Sequence, residues 1–342
     1  MDGTQHSQNP WGQTASGEWS GGCFRDKAPW WGGDLQTLRN LVQVRRVPLP
    51  SRSLTLEFPV SDGSSDRLVS RLELPAETKR KCPLIVLIHG LTGSEDSAYM
   101  RETTRFHLLR GRSVLRLNLR GAGPGRHRAS NYYHGGCWQD IRDVLDQLDR
   151  GYLERGVFLI GFSLGGNILL NFLAGARPGQ GILGAATVSA PIEPLEACRR
   201  LLSSRNWLYH HWLLRRMKRT VLSCAELSKK ERSDIEAARS MYEFDDKWVA
   251  PRNGFPGAGN YYRRTTGARC VPSINVPLLM LHAENDPLVP ARSYARLAER
   301  QLPYARVVIA QSGGHVGFHQ RGYLETWHDR AIDLFLNEIN VS

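Results

Sequence analysis

One short segment constrains the fold more than any other: an apolar run that reaches a glycine-flanked serine and continues at once as a helical pattern. Residues 157–162 form the run, the turn reads Gly161-x-Ser163-x-Gly165, and apolar residues with helical spacing follow. A sharp strand-to-helix turn needs neighbours without side chains, because the strand and the helix approach closely there. The hydroxyl is then exposed at a helix N-terminus, where developing negative charge is favoured. The segment therefore predicts a nucleophile elbow, with Ser163 as the nucleophile.

A serine hydroxyl is a weak nucleophile at neutral pH, so an acid and a histidine base should follow it along the chain, in that order. The apolar strand predicted at 276–282 ends in the loop Ala-Glu-Asn-Asp-Pro-Leu-Val-Pro. Asp286 in this loop is the candidate carboxylate that orients the base, because the following proline makes a rigid turn. Glu284 in the same loop is the alternative.

The candidate base lies in a glycine-rich loop after the last predicted strand, at 305–310. His315 stands in this loop downstream of the acid, and the glycines around it leave room for the imidazole to reach the serine. His319 is the nearest alternative, but it does not directly follow a strand. We therefore expect His315 to be the general base.

Two backbone N–H groups are expected to bind the oxyanion of a tetrahedral intermediate. The residue after the nucleophile, Leu164, supplies the first. The apolar strand predicted at 84–89 ends in His89-Gly-Leu-Thr-Gly-Ser, so the Leu91 amide is the expected second donor and the Thr92 amide is the alternative. His89 itself is expected to support this loop rather than to act as a second base.

Eight strand candidates alternate with helical stretches from the third strand onward. The strands are predicted at 54–59, 68–74, 84–89, 114–119, 157–162, 183–189, 276–282 and 305–310, and the helices include 97–110 and 138–150. Continuous apolar strands separated by helices predict a mostly parallel central sheet with helices on both faces. The order of nucleophile, acid and histidine on these strands is that of an α/β-hydrolase fold.

The segment that precedes the acid strand is too long for a simple crossover, so a helical cap is predicted at about 192–272. Within 199–232, ten Lys or Arg residues stand against two Glu, and Trp and Leu residues recur with helical spacing. Two interpretations stay open: a solvated helical face, or a lid that presents apolar residues to an acyl chain and basic residues to an anionic headgroup or lipid surface.

Residues 1–28, rich in Gly, Ser, Gln and Thr, are predicted to be a disordered arm, and residues 29–342 are predicted to form the hydrolase domain.

The formal net charge is +12, but the basic excess is scattered and no zinc-finger spacing or nucleic-acid-binding motif accompanies it, so no nucleic-acid partner is predicted. The six cysteines form no Cys-x-x-Cys pair, so we expect reduced thiols, no metal site and no other cofactor; they stand at positions 23, 82, 137, 198, 224 and 270. The N-terminus has no secretory signal pattern, and no apolar stretch approaches bilayer length. A cytoplasmic protein is therefore expected.

Several motifs resemble those of the YheT-like family of α/β-hydrolases, and the resemblance runs from about Pro29 to the C-terminus. They are His89-Gly-Leu-Thr-Gly-Ser, Asn118-Leu-Arg-Gly-Ala-Gly, Gly161-Phe-Ser-Leu-Gly-Gly-Asn, Phe244-Asp-Asp, Tyr261-Tyr, His282-Ala-Glu-Asn-Asp-Pro and Gly313-Gly-His-Val-Gly-Phe. The resemblance implies serine hydrolase chemistry on carboxylic esters, with Ser163, Asp286 and His315 matching the family triad. Members of the family act on short- and medium-chain acyl esters or glycerolipids, or transfer acyl groups to alcohols.

The expected activity is therefore cleavage of a small-molecule acyl ester or an acylglycerol-type lipid through an acyl-enzyme intermediate. An acyltransferase that makes esters by alcoholysis would use the same residues and differ only in excluding water. A non-catalytic binding module on the same fold is the third possibility. It would predict a broken set of catalytic residues, and this chain has all three in the expected order.

Overall fold

The computed structural model describes residues 24–42, 48–76, 82–175, 181–224 and 226–340, and an eight-stranded sheet forms its centre. The strands are β1 (Ser51–Pro59), β2 (Arg67–Pro75), β3 (Leu84–Ile88), β4 (Val114–Leu117), β5 (Val157–Phe162), β6 (Ile182–Val188), β7 (Leu278–Ala283) and β8 (Ala305–Ala310). Their spatial order is β1-β2-β4-β3-β5-β6-β7-β8. The strands β1 and β2 run antiparallel to their neighbours, and all pairs from β4 to β8 are parallel.

Helices cover both faces of this sheet. The α-helices are α1 (Gly32–Val42), α2 (Ala98–Leu108), α3 (Gln139–Gln147), α4 (Arg150–Leu153), α5 (Leu164–Ala174), α6 (Pro194–Leu201), α7 (Trp207–Cys224), α8 (Lys229–Ala237), α9 (Met241–Phe244), α10 (Ala250–Arg252), α11 (Ala258–Arg264), α12 (Ala291–Ala298) and α13 (Trp327–Asn340). A π-helical turn spans Asp245–Val249, and short 3₁₀ turns span Gly123–His127, Ser204–Asn206, Gly267–Arg269 and Val271–Ser273.

The central strands are apolar along their whole length because both of their faces are buried. In β3, Ile85 and Leu87 contribute to the core that contains Phe335 of α13, whereas Val86 faces the core that contains Ile168 of α5. Alternate side chains of one strand therefore fill two separate hydrophobic layers. The predicted α/β-hydrolase fold is confirmed, and each predicted strand is present with ends displaced by three residues or fewer.

The helices α6 to α11 all lie between β6 and β7, where the sequence predicts the cap. Among the described residues of this insertion the structure contains helices and turns but no strand. The cap helices contribute to the same hydrophobic core as α5, so the insertion packs onto the sheet domain over the face that carries the elbow. No helix among the described residues has both the length and the apolar character needed to cross a bilayer.

Residues 24–28, which the sequence analysis assigns to the end of a disordered arm, pack against the core in the structure. The Phe24 ring meets the edges of Phe318 and Trp327, with ring centroids 6.1 and 6.2 Å away. The Asp26 carboxylate accepts hydrogen bonds from the Gly32 amide at 2.9 Å and from the Gln36 side chain at 3.0 Å. The rest of the predicted arm, residues 1–23, lies outside the described residues.

Candidate active site

The predicted site residues follow different strands, and the fold gathers them at one edge of the sheet. Leu91 follows β3, Ser163 follows β5, Asp286 follows β7 and His315 follows β8. These strands are parallel, so their carboxyl ends lie on the same edge, where the binding crevice of an open α/β sheet forms. The topology therefore brings together residues that are up to 224 positions apart in the chain.

The turn after β5 holds Ser163 in a conformation that is rare for a residue with a side chain. Its φ is 48° and its ψ is −123°, and its amide donates to the Val188 carbonyl at 2.9 Å. A Cβ atom at Gly161 would lie 2.6 Å from the Gly166 Cα atom, and one at Gly165 would lie 2.4 Å from the His89 carbonyl oxygen. Both glycines are therefore required by close backbone approach, as the elbow prediction assumed.

Two hydrogen bonds connect the predicted nucleophile, base and acid. The Ser163 Oγ atom lies 2.8 Å from His315 Nε2, and His315 Nδ1 lies 2.8 Å from Asp286 Oδ2. The other carboxylate oxygen, Oδ1, accepts from the amides of Leu288 at 2.8 Å and Val289 at 2.9 Å. The acid is therefore fixed by its own turn and presents a single oxygen to the imidazole.

The electrostatics of Asp286 keep its carboxylate ionised. Burial alone would raise the pKa of this carboxyl group, but the charge and the hydrogen bond of His315 lower it, and the final pKa lies below the usual value. His282 lies behind the carboxylate, with its Nδ1 atom 4.0 Å from Asp286 Oδ2, and its ring stacks on Tyr294 at a centroid distance of 4.1 Å. Burial lowers the pKa of His282 to about 4, so this ring is neutral.

The loop that carries His315 is held by residues that the sequence analysis did not identify. The His315 amide donates to Thr37 Oγ1 at 2.8 Å, and this hydroxyl donates to the Gly33 carbonyl at 2.6 Å. On the other side, the Val316 amide donates to Ser189 Oγ at 3.1 Å. Thr37 belongs to helix α1, which is 278 positions away in sequence, so no local pattern in the sequence pointed to it.

The two alternatives for acid and base lie apart from Ser163. Glu284 is exposed at the surface. His319 is buried, and its Nε2 atom contacts the Arg39 guanidinium and lies 3.4 Å from the Asn40 side-chain oxygen. Burial and the charge of Arg39 lower the pKa of His319 to about 2. The structure brings Asp286 and His315 to the serine and leaves Glu284 and His319 away from it.

The loop after β3 has most of its amides already engaged. The Gly90 amide donates to the Tyr99 hydroxyl at 3.0 Å, and the Thr92 amide donates to the Tyr133 hydroxyl at 2.7 Å. Within the part of the chain that the structure describes, the amides of Leu91 and Leu164 donate to no acceptor, and both residues line the same cavity as Ser163. Both amides expected to bind the oxyanion are therefore without an acceptor in the described chain, whereas the Thr92 amide, the alternative, already donates to Tyr133.

His89 supports this loop from below. Its Nε2 atom accepts from the Leu119 amide at 3.1 Å, so its Nδ1 atom carries the proton and donates to the Gly90 carbonyl at 2.8 Å. Burial lowers the pKa of His89 to about 4, which keeps the ring neutral. Asn118, at the end of the next strand, donates to the Val69 carbonyl at 2.9 Å and accepts from the Glu95 amide at 2.8 Å.

A cavity of about 570 Å³ lies above the serine, between the sheet edge and the cap. Ser163 and His315 form part of its floor, and the cap contributes mainly apolar side chains, among them Leu213, Met217 and Phe244. Arg216 of helix α7 also lines the cavity and donates to the Thr92 carbonyl at 3.2 Å. The cap is therefore hydrogen-bonded directly to the loop that carries Leu91, one of the two candidate oxyanion donors.

Among the described residues, no three His, Cys, Asp or Glu side chains form a group that could hold a metal ion. Four cysteines are free thiols, Cys82, Cys137, Cys198 and Cys270. Chemically, the arrangement offers a hydroxyl within hydrogen-bond distance of an imidazole, two N–H donors without an acceptor in the described chain and a mainly apolar cavity above. These are the groups that acyl transfer to a serine requires.

The sheet order, the strained serine turn and the inserted helical cap define the class of molecule, an α/β-hydrolase-fold protein. The model of the alpha/beta hydrolase family matches residues 85–326. The chain belongs to this family.

Individual relatives agree with that assignment. The putative esterase YheT of Escherichia coli is 29% identical over 289 residues, which cover 83% of each chain. A monoacylglycerol lipase of Saccharomyces cerevisiae is 28% identical over 279 residues, 76% of this chain and 61% of that protein. The solved esterase Pf2001 of Pyrococcus furiosus shares the fold with a TM-score of 0.57 at 16% identity, covering 84% of this chain and 93% of that one. The resemblance to YheT-like hydrolases is confirmed.

Proposed function

We propose that this protein is a serine esterase in which Ser163 attacks the carbonyl carbon of a carboxylic ester. His315 acts as the general base, and Asp286 orients it. The observation that carries the proposal is the continuous series of hydrogen bonds from Asp286 through His315 to Ser163, each 2.8 Å long. At the level of enzyme class the chain is a carboxylic ester hydrolase, supported by its family and by its esterase- and lipase-named relatives.

The first chemical step follows from the protonation state of the imidazole. Ionised Asp286 accepts a hydrogen bond from the Nδ1–H group of His315, so the Nε2 lone pair faces the Ser163 hydroxyl. As the new bond forms between Oγ and the carbonyl carbon, the proton moves to Nε2 and the carbonyl electron pair moves to oxygen. The Asp286 carboxylate stabilises the imidazolium that results.

The oxyanion is stabilised by the amides of Leu91 and Leu164. Both N–H groups lack an acceptor within the described chain, whereas the Thr92 amide already donates to Tyr133. Donors that are fixed before the reaction need no reorganisation when the charge develops, and each such donor contributes about 10²–10³ in kcat. A second donor from Thr92 would first have to break its bond to Tyr133.

The second step releases the alcohol. Protonated His315 gives its proton to the leaving oxygen, the carbon–oxygen bond breaks, and an acyl group remains on Ser163. A water molecule then takes the place of the alcohol, His315 removes its proton, and attack on the acyl carbon releases the acid and restores the serine. The mainly apolar cavity of about 570 Å³ suits a short- to medium-chain acyl ester or an acylglycerol-type lipid.

The test compares initial rates of p-nitrophenyl butyrate hydrolysis for the wild type and Ser163→Ala. We expect the variant to lose at least about 10³-fold, because the nucleophile is absent, and to lose labelling by a fluorophosphonate probe. Equal rates in both proteins would overturn the proposal.

Added ethanol distinguishes the acyltransferase alternative: ethyl butyrate formed in place of butyric acid would show that the acyl-enzyme reacts with alcohol in preference to water.

We also propose that the outer face of helix α7 contacts an anionic lipid surface. Trp207 and Leu208 on this helix are 58% and 74% exposed, and Arg215 and Arg219 are exposed on the following turns. Large apolar side chains beside basic ones are typical of a helix that lies in the membrane interface. The cytoplasmic location expected from the sequence stays a prediction.

Vesicle flotation tests this surface. The wild type is expected to float with vesicles that contain anionic phosphatidylglycerol and to be released by high salt, because salt screens the basic residues. Leu208→Ala should weaken flotation, whereas Leu324→Ala, which removes an 85% exposed leucine far from α7 in sequence, should not. Equal flotation of both variants, or none by the wild type, would contradict the proposal.

A further inference from the structure

One buried acid in the cap has no role in the mechanism above. Asp245 begins the π-helical turn Asp245–Val249, directly after α9, and lines the same cavity as Ser163 and His315. The residue is only 8% exposed. A π-helical turn disrupts the regular helical hydrogen bonding, and such turns occur frequently at functional sites.

The neighbours of Asp245 leave it as a hydrogen-bond acceptor. The Tyr262 hydroxyl donates to Asp245 Oδ2 at 2.6 Å, and the same hydroxyl lies 3.4 Å from Cys198 Sγ. A phenol has one hydroxyl hydrogen, and in Tyr262 this hydrogen is used in the bond to the Asp245 carboxylate. In the contact with Cys198 the thiol is therefore the donor and the phenol oxygen the acceptor. Tyr262 therefore has no hydrogen left to offer a ligand.

The second carboxylate oxygen is without a partner. Among the described residues, no Lys or Arg pairs with Asp245, and Oδ1 accepts no hydrogen bond. Burial raises the pKa of Asp245 to about 7, although the Tyr262 hydrogen bond partly opposes this. Oδ1 is not among the buried atoms that lack a partner, and Asp245 lines the cavity, so this oxygen is open to a molecule bound there.

The chemistry of a matching ligand follows from these contacts. An acceptor at the cavity wall requires a donor, either a hydroxyl or an ammonium group. Arg216 lines the same cavity, so a cationic group would meet its guanidinium charge there, whereas the charge of Arg101 is paired with Asp96 at 3.0 Å. A neutral hydroxyl is therefore favoured, and among the parts of an ester substrate only the alcohol carries one, since an alkyl acyl chain has no donor.

We infer that Asp245 binds a hydroxyl of the alcohol portion of the substrate, so that the cavity selects esters of polyhydroxylated alcohols, such as monoacylglycerols, over plain alkyl esters. This inference rests on the proposed ester hydrolysis at Ser163. It assigns Asp245 to substrate specificity and Tyr262 to holding its carboxylate in place.

The test uses two esters with the same acyl group and the same number of carbons, glycerol monobutyrate and propyl butyrate, which differ only in two hydroxyl groups. The measured quantity is the ratio of kcat/KM for the first to that for the second. The assay is run at pH 8, above the pKa of about 7, so that the Asp245 carboxylate is ionised. Asp245→Leu should then lower this ratio at least about ten-fold, the effect of losing one hydrogen bond to a charged group, and should change kcat/KM for propyl butyrate by less than about two-fold.

Asp245→Asn covers the case in which the leucine variant does not fold. Its amide oxygen can still accept from Tyr262, so its NH₂ group faces the cavity in place of the carboxylate oxygen. We expect the ratio to fall about three-fold, since a neutral hydrogen bond has about half the strength of a charge-assisted one. The matched control is Asp246→Asn, the same change one residue on, at an exposed side chain that accepts from the Ala258 amide. This control should leave the ratio unchanged.

The outcomes separate the two proposals. An unchanged ratio in the Asp245 variants, with turnover that still requires Ser163, overturns the role of Asp245 alone. If the wild type hydrolyses neither ester, or if Ser163→Ala retains wild-type rates, the proposed esterase function fails and this inference fails with it.

Discussion

Replacing the Asp286 carboxylate with an amide tests the proposed mechanism with almost no change in size. The Asp286 Oδ1 atom accepts from two amides, those of Leu288 and Val289. In Asp286→Asn the carbonyl oxygen must take this position, because an NH₂ group there would face two N–H donors. The NH₂ group of the variant then faces His315 Nδ1 and donates to it.

This hydrogen bond changes the tautomer of the His315 imidazole. A neutral ring carries one proton, so when Nδ1 becomes an acceptor the proton must sit on Nε2. His315 Nε2 is 2.8 Å from Ser163 Oγ, and in the variant it would donate to the hydroxyl instead of accepting from it. Loss of the base in this manner is expected to lower kcat about 10⁴-fold, which corresponds to about 5 kcal/mol of activation free energy.

The assay is the initial rate of p-nitrophenyl butyrate hydrolysis, measured with the thermal unfolding midpoint of each protein. Glu284→Gln is the matched control, since it makes the same carboxylate-to-amide change two residues earlier at an exposed side chain. We expect this control to stay within about two-fold of the wild type. A rate for Asp286→Asn within ten-fold of the wild type, or an equal loss in the control, would refute the argument from tautomers.

Three further predictions concern stability. Gly165→Ala places a Cβ atom 2.4 Å from the His89 carbonyl oxygen, so urea denaturation should show a free energy of unfolding lower by about 2–3 kcal/mol; an unchanged midpoint would contradict the close approach. Glu73→Gln removes the shorter of two ion pairs of Arg116, with Asp96 left at 3.5 Å, and both side chains of the lost pair are 3% exposed, so the same assay should show a loss of about 3 kcal/mol; a free energy of unfolding equal to that of the wild type would contradict this. Burial raises the pKa of Asp245 from 3.8 to about 7, despite the Tyr262 hydrogen bond, so the folded state retains a proton that the unfolded chain releases between these values. The stability of the wild type should therefore fall by about 4 kcal/mol between pH 4 and pH 7 relative to Asp245→Asn, and parallel pH profiles would disprove this.

The elbow and the strands could be predicted from the sequence because their signals are local. The run from Val157 to Gly165 contains the strand, the turn and the start of the helix, and each part is specified by neighbours within a few residues. The strand-end positions of Asp286 and His315 are equally local. Their meeting with Ser163 followed from one further rule, that parallel strands end on the same edge.

The supports of the site are not local, and no pattern in the sequence marks them. Thr37 holds the His315 loop from a helix 278 positions away, and Tyr133 engages the Thr92 amide from 41 positions away. A threonine or tyrosine of this kind has no distinguishing pattern around it. Asp245 was visible only as part of a family motif, without a role, because its burial and its unpaired oxygen arise from the packing of the cap.

The sequence by itself determined the fold class, the order of nucleophile, acid and base, and the candidates for each, because these depend on periodicity and on turn chemistry over short stretches. The tertiary structure alone paired the Thr92 amide with Tyr133 and left the Leu91 amide without an acceptor among the described residues, placed Glu284 and His319 away from the serine, and brought Asp245 into the cavity. Each of these outcomes depends on which hydrogen-bonding groups are already paired across the folded chain, and pairing between distant residues exists only after the sheet and the cap have packed together.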